Sequence, residues 1–378
     1  MAHSDTATGR VPLILINAIK LHEGRYHSLG GNYHHVQYLT DALSQRPEIR
    51  LKVLCDEYTD APLSKFLPAE VRVKVNLKGG GVIAADRAVL RVVREMKPDL
   101  YHRPTGQLPF FKLGIPAVAT IADLNYLHLP TPLIKRLYKK LSYRHTVKVA
   151  DWITCISKYT RREVIKYLRA DPDRTTVIYH GANQLPAKGA KLDPAWGERF
   201  WVTFGHQSHK NAEAAVLALD RRPEDESLVV IGESAHIDEV VRPLAARYGV
   251  LFRTHFIGRV DAATLRALYE RALGLLFMSK FEGFGLPVVE AMSLGCPVIS
   301  SDACSLPEIV SNGGMVFAPN DVISVANGME RLVTQSWYRE NLIQAGREQA
   351  ATFSWSRAAD ETIQVYQRVL KPSVPDAK

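Results

Sequence analysis

The sequence predicts an α/β protein built as two doubly wound domains, each a parallel sheet wrapped by helices. Three observations carry that prediction. The 378 residues exceed one ordinary domain of about 100 to 200 residues. Short apolar runs of the buried-strand type alternate with amphipathic segments along the chain. The alternation breaks at NQLPAKGAKLDPAWGER, rich in Pro, Gly and Lys, and then restarts.

Taken in order, VPLILIN, LKVLCD, VRVKV, DLYHR, PAVATIA, WITCIS and TTVIYHG read as the strands of a first domain, residues 1–187. FWVTFG, SLVVIG, LFRTHFIG, LGLLFMS and CPVISS read as those of a second domain, residues 188–352. FSWSRAADETIQVYQRVL is amphipathic and forms a final helix in residues 353–378, expected to return to the first domain. Two such domains on one linker would face a central cleft, with the C-terminal ends of both sets of strands turned towards it. Ligands belong there.

Composition narrows the class. With 46% apolar and 23% charged residues the chain can build a large core, and disorder is excluded. No apolar run approaches the roughly 18 residues of a membrane span. The opening MAHSDTATGRVP has no charged region leading into an apolar stretch, so a cytoplasmic location is expected. Cys55, Cys155, Cys296 and Cys304 form no close metal-binding or redox pair and read as buried thiols. No metal site is expected.

The formal charge of +9 is uneven: residues 1–183 carry +12 and residues 184–378 carry −3. Within the basic half, PLIKRLYKKLSYRHTVKVA sets Lys135, Arg136, Lys139, Lys140, Arg144 and Lys148 at helical intervals, with Leu133, Leu137, Leu141 and Tyr138 on the other side. Such a face is either simply solvated or attracts anionic lipid headgroups or phosphate-bearing acceptors, at roughly 1 kcal/mol per basic residue near an anionic membrane. Nucleic acid is not expected as a partner, because no binding motif or Arg-aromatic interleaving accompanies the charge.

The chemistry concentrates in FEGFGLPVVEAMSLG, residues 281–295. A strand ends near Ser279, the residues from Glu282 to Gly285 form a loop, and Pro287 suits the first turn of a helix that Gly295 stops. Glu282 then stands in the loop and Glu290 about a turn into the helix. Backbone amides around Phe284, Gly285 and Leu286, at the positive end of the helix dipole, favour an anion or sugar hydroxyls. A carboxylate accepts two hydroxyl donors, so Glu290 suits a vicinal diol such as ribose and Glu282 the hydroxyls of a second ring. The device grips a nucleotide-sugar at both ends.

The segment EGFGLPVVEAMSLGCPVISSDACSLPEI resembles the hallmark of the family 4 glycosyltransferases of the GT-B fold, two glutamates separated by seven residues. The resemblance extends through GGNYHHVQYL, VADWITCISKYTRREV, VIYHGAN and the closing FSWSRAADETIQVYQRVL. It implies two Rossmann-like domains, the first for the acceptor and the second for the donor, and a retaining transfer from a nucleoside diphosphate sugar without cofactor or metal. Glu282 would contact the transferred sugar, Glu290 the ribose, and Lys210 in FGHQSHKN the diphosphate. Gly30 and Gly31 would bring amides to the donor phosphate, and Gly258, Arg259 and Val260 in FIGRV would contact the base. Relatives usually carry an arginine soon after the glycine of the FGHQSHKN loop. Here His206 follows Gly205, and His206 or His209 would donate instead, making activity respond to pH near 6.5.

A second departure lies in VATIADLNYLHLP, where relatives commonly read His-Asp and this chain has Ala122-Asp123. Asp123 stays a candidate for a substrate hydroxyl, and His128, Asn125 and His102 are candidate substitutes for the missing imidazole. The reading is therefore a transferase moving a mannose-like or other hexose to a hydroxyl of a glycan or lipid-linked acceptor in surface polysaccharide assembly, at the inner face of the cytoplasmic membrane. Its rivals are a nucleotide-sugar epimerase and a non-catalytic partner subunit of the same fold.

Overall fold

The computed structural model describes residues 10–19, 31–77, 81–182 and 185–371, with the side chains of residues 31–33 left aside. These residues fall into two compact units. One holds the chain up to His180 together with the part from Trp355 onwards, and the other is Gly181–Ser354.

The first unit is a seven-stranded sheet: β1 (Leu13–Asn17), β2 (Arg50–Cys55), β3 (Arg72–Lys74), β4 (Leu100–Arg103), β5 (Ala117–Ile121), β6 (Trp152–Cys155) and β7 (Thr175–Val177), in the order β3-β2-β1-β4-β5-β6-β7. All pairings are parallel, with Ile16 opposite Val53 on one side and His102 on the other. Side chains alternate across a strand. Ile14 and Ile16 therefore pack under the helices Gly31–Ser44 and Trp355–Leu370, while Leu15 packs with Val89 and Val93 of the helix Val82–Met96 on the opposite face. Both faces are covered, which is why these strands read as continuous apolar runs rather than alternating ones.

The second unit repeats the plan with β8 (Phe200–Phe204), β9 (Ser227–Ile231), β10 (Thr254–Ile257), β11 (Gly274–Phe277), β12 (Val298–Ser301) and β13 (Met315–Phe317), in the order β10-β9-β8-β11-β12-β13 and all parallel. The edge strand β13 is absent from the sequence reading. In both sheets the chain winds one way from the first strand and the other way from the fourth, so the order reverses between β1 and β4 and between β8 and β11. Both units are thus doubly wound parallel α/β sheets of the Rossmann-like type, as the sequence predicts.

The helix Trp355–Leu370 belongs to the core of the first unit. It buries Trp355, Ala358, Ala359, Thr362, Ile363, Val365 and Tyr366. Tyr366 Oη lies 2.7 Å from His102 Nδ1, His102 Nε2 lies 2.9 Å from Thr120 Oγ1, and Thr120 Oγ1 lies 2.7 Å from Thr154 Oγ1. One polar chain thus runs from the helix across β4, β5 and β6. Beside it His35 stacks on His180 at 4.4 Å, and both rings face Trp355.

Two expectations are corrected by this packing. His102 cannot replace a catalytic imidazole, because it is buried and both ring nitrogens are engaged. Cys304 is half-buried, unlike the other three cysteines. In the basic helix Leu133–Val149, Leu133 is 79% exposed, Ile134 86%, Leu137 55% and Leu141 56%, whereas Ser142 and Thr146 are buried. The helix rests on these two residues together with Tyr143 and Val147. Among the described residues no helix is long and apolar enough to cross a membrane.

Burial pushes the pKa of His35 down to about 4 and that of His102 to about 3, the latter with help from the His35 charge, and places His180 well below 6.5. The unfolded chain protonates these rings near 6.5 while the folded chain does not. Their contribution is therefore fully present above that pH and is lost as pH falls towards 4, at about 1.4 kcal/mol per histidine per pH unit. Denaturant unfolding followed from neutral to acid pH should show this loss, with a shallower slope in His35→Gln. Equal slopes in the two proteins would exclude His35 as a contributor.

Candidate active site

The site assembles at the C-terminal edge of the second sheet, on both sides of the reversal between β8 and β11. From β8 comes the loop holding His206, His209 and Lys210, and from β11 the loop 279–285 that leads into the helix Leu286–Ser293.

The two loops are fastened to each other by backbone and buried side chains. The Lys280 N–H donates to His209 O at 2.7 Å, and Ser279 Oγ donates to the same carbonyl at 3.0 Å. Asn211, in the left-handed region at φ 56°, donates from Nδ2 to Met278 O at 3.0 Å and to Pro319 O at 2.8 Å. Fully buried Ser305 shares its hydroxyl proton between Glu282 O at 3.0 Å and Phe284 O at 3.1 Å, and Ser301 Oγ donates to Ser279 O. Leaving such buried carbonyls unpaired costs about 1–3 kcal/mol each. Asn211, Ser301 and Ser305 hold the glutamate loop in place, and sequence reasoning missed them. Their only trace was a run of small polar residues after an apolar strand.

Gly285 is required twice over. Its φ is +102°, and a Cβ there would come 2.7 Å from Leu306 Cδ2. Pro287 then occupies the first turn, where its missing N–H costs nothing. Phe284 is buried edge-on against Phe353 at 5.6 Å, and Leu286 opens the helix.

Lys210 and Glu282 meet across the reversal. Their side chains form an ion pair at 2.7 Å with about a tenth of each exposed, and the ammonium also lies 5.2 Å from the Phe277 ring centroid. Glu290 is the fifth residue of its helix, one turn deeper than the helix start, and is buried at 8% exposure, with Tyr269 Oη 3.5 Å from Oε2. Burial and the Glu290 charge place the Tyr269 pKa well above 10, so this phenol stays a proton donor.

His206 keeps an exposed edge, yet burial of the rest of its ring and the nearby Lys210 ammonium push its pKa down to about 4. Burial, then Lys210, lowers His209 as well. The expected pH response near 6.5 is thereby corrected: His206 is neutral at neutral pH, and a neutral imidazole keeps one ring N–H to donate. Arg259, exposed after β10, is also close enough to bear on His206. Gly258 O accepts from Gly232 N at 3.2 Å, and Val260 follows in the same turn. A Cβ on Gly258 would strike the Glu233 carboxylate, which places Glu233 on this rim. It, too, was missed.

The other predicted residues belong to the first unit. Asp123 is in the first unit, after β5, where Oδ1 accepts from Asn125 N at 2.9 Å and starts a short helix, while Ala122 O accepts from Thr160 Oγ1. His128 pairs with Glu163. Gly31 begins the helix Gly31–Ser44, and Gly30 lies outside the described residues. Among the described residues no three His, Cys, Asp or Glu side chains are grouped so as to hold a metal ion.

The family model for Glycosyltransferase Family 4 matches residues 29–184, and that for Glycosyl transferases group 1 matches residues 198–349. The O-antigen chain mannosyltransferase B of Escherichia coli is 30% identical over 290 residues, which span 72% of this chain and 75% of that protein. The chain belongs to the family 4 glycosyltransferases. Solved structures agree on the fold. Sucrose-phosphate synthase from Thermosynechococcus elongatus matches this glycosyltransferase with a TM-score of 0.75 at 20% identity, covering 95% of this chain and 99% of that one. Anabaena HepE, in complex with UDP and glucose, matches with a TM-score of 0.73 at 17% identity, covering 94% and 100%.

Because His206 is already neutral, the pH profile of kcat/KM for the glycosyltransferase should show no inflection from it above about pH 5. His206→Gln should therefore leave the shape of the profile unchanged in that range. An inflection near 6.5 that vanishes in the variant would place the imidazolium in the reaction.

Proposed function

We propose that this glycosyltransferase moves a hexose, mannose-like in its preference, from a nucleoside diphosphate sugar to a hydroxyl of a glycan or lipid-linked acceptor, with retention of configuration. The observation that carries the reading is the buried Lys210–Glu282 pair at the strand reversal, with Glu290 set one helix turn beyond it. In this reading the second unit takes the donor and the first the acceptor. Lys210 and the amides at Gly285 and Leu286 face the diphosphate, Glu282 the sugar hydroxyls and Glu290 the ribose diol. Gly258, Arg259 and Val260 lie towards the base, and His206 and His209 donate to phosphate oxygens as neutral imidazoles.

The bond between the sugar C1 and the diphosphate oxygen breaks, and the acceptor oxygen bonds to C1 from the same face. A departing phosphate oxygen takes the acceptor proton, so the step needs no carboxylate base and no metal. Charge collects on the leaving diphosphate, where Lys210 and the helix start stabilise it. Asp123 is assigned to a substrate hydroxyl. Assembly of O-antigen or a related surface polysaccharide is the setting that fits the E. coli relative's name.

The test is thermal unfolding with UDP, GDP, ADP or CMP, for wild type and Glu290→Ala. A nucleotide at 100 times its dissociation constant stabilises by about 2.7 kcal/mol. One nucleotide should shift wild type and fail to shift the variant. No shift with any of them would remove the donor site and favour the partner-subunit reading, while a change in the sugar without acceptor would favour an epimerase.

The helix Leu133–Val149 is assigned to the inner face of an anionic membrane. Six basic residues, among them Lys135, Arg136, Lys139, Lys140 and Arg144, and no acidic one accompany its exposed Leu133, Ile134, Leu137 and Leu141. Charge attracts the helix and the leucines anchor it, so sedimentation with anionic vesicles should weaken with salt and weaken further in Leu137→Ser. Binding indifferent to both would exclude the assignment.

A further inference from the structure

Three loops of the second unit, those that follow β8, β9 and β10, are fastened together at the C-terminal edge of its sheet. The Gly232 N–H, on the β9 loop, donates to Ile257 O at 3.0 Å and to Gly258 O at 3.2 Å, which ties that loop to the turn after β10. Gly232, at φ +116°, also lies against the β8 loop, where a Cβ would come 2.7 Å from His206 Cβ. Glu233 is the next residue. Its backbone is therefore fixed from two sides.

Gly258 shows where the Glu233 carboxylate goes. The Gly258 backbone does not enter the left-handed region, so its conformation makes no demand for glycine. What excludes a side chain there is Glu233: a Cβ on Gly258 would collide with Oε1 and come 3.2 Å from Cδ. The carboxylate is laid against the turn that carries Gly258, Arg259 and Val260. Among the described residues it makes no hydrogen bond or ion pair, not even with Arg259, which follows Gly258 in the chain. Its acceptor oxygens are left for a ligand or for water.

An ionised carboxylate offers two acceptor oxygens and no donor. Among the common bases guanine alone carries two donors side by side, N1–H and the N2 amino group, and one carboxylate takes both at once. Uracil presents its single N3–H between two carbonyl oxygens, so one oxygen of the carboxylate would face a carbonyl. Adenine and cytosine set their amino group beside a bare ring nitrogen, with the same result. We propose that Glu233 reads the base of the donor and selects guanine, through paired hydrogen bonds from N1–H and the N2 amino group. That a base lies on this turn rests on the donor reading above; the choice among bases rests on Glu233.

Isothermal titration of the full chain with GDP, inosine diphosphate, UDP and ADP tests it. Inosine diphosphate is GDP without the N2 amino group, so it removes one of the two hydrogen bonds and leaves the rest of the ligand alone. Wild type should bind GDP about tenfold more tightly than inosine diphosphate, equivalent to about 1.4 kcal/mol, and UDP and ADP more weakly still. In Glu233→Ala, a change at an exposed position, the GDP and inosine diphosphate affinities should become equal. Gly258→Ala should equalise them with Glu233 intact, because its methyl group displaces the carboxylate. Three results overturn the proposal and leave the donor site standing: equal binding of GDP and inosine diphosphate by wild type, a preference for UDP or ADP, or a GDP preference that survives in Glu233→Ala. Wild type that binds none of the four removes the donor site itself, and the base reading with it.

Discussion

An ammonium and a carboxylate 2.7 Å apart, each about nine-tenths buried, join the two loops that flank the reversal of the second sheet. Taking both charges out of water is costly, and removing one partner from such a pair typically costs 3–5 kcal/mol, because the survivor stays buried and uncompensated. The surroundings are built to that constraint. Asn211 locks the lysine loop to the end of β11, Ser305 holds the glutamate loop by two carbonyls, and Gly285 lets the chain turn where any side chain would strike Leu306. The neutrality of His206 follows from the same arrangement, since burial and the adjacent ammonium both oppose a second positive charge.

The two glutamates of the hallmark are held by different means. Glu282 is positioned from behind by its own backbone carbonyl and in front by Lys210. Glu290 is positioned by helix geometry, on a turn whose start is fixed by Gly285 and Pro287 and whose end is fixed by Gly295 in the left-handed region. The seven-residue interval is the length of chain needed to leave a strand end, turn on a glycine and complete one helical turn.

Much of this was legible because it depends on local chemistry. Twelve strands are visible as mainly apolar runs, since helices cover both faces of each sheet and leave few polar positions in the inner strands. Pro287 and Gly295 mark the helix by rules that operate within a few residues. What depends on distant packing was not legible. Edge strand β13 was not read, and helical spacing sets the leucines of the basic helix on one side without showing that they are exposed. His102 read as a spare imidazole until Tyr366, far along the chain, occupied it.

The closing helix has a consequence for biosynthesis. The first unit keeps Trp355, Ile363 and Tyr366 in its core, so its chain is incomplete until the helix Trp355–Leu370 has been made. The second unit is one continuous stretch, Gly181–Ser354, and needs nothing that follows it. The usual order of folding during synthesis, N-terminal domain first, is thereby inverted. Until then the nascent first unit exposes the groove that the helix will fill, and a chain cut short before Trp355 would spoil the unit made first while sparing the one made second.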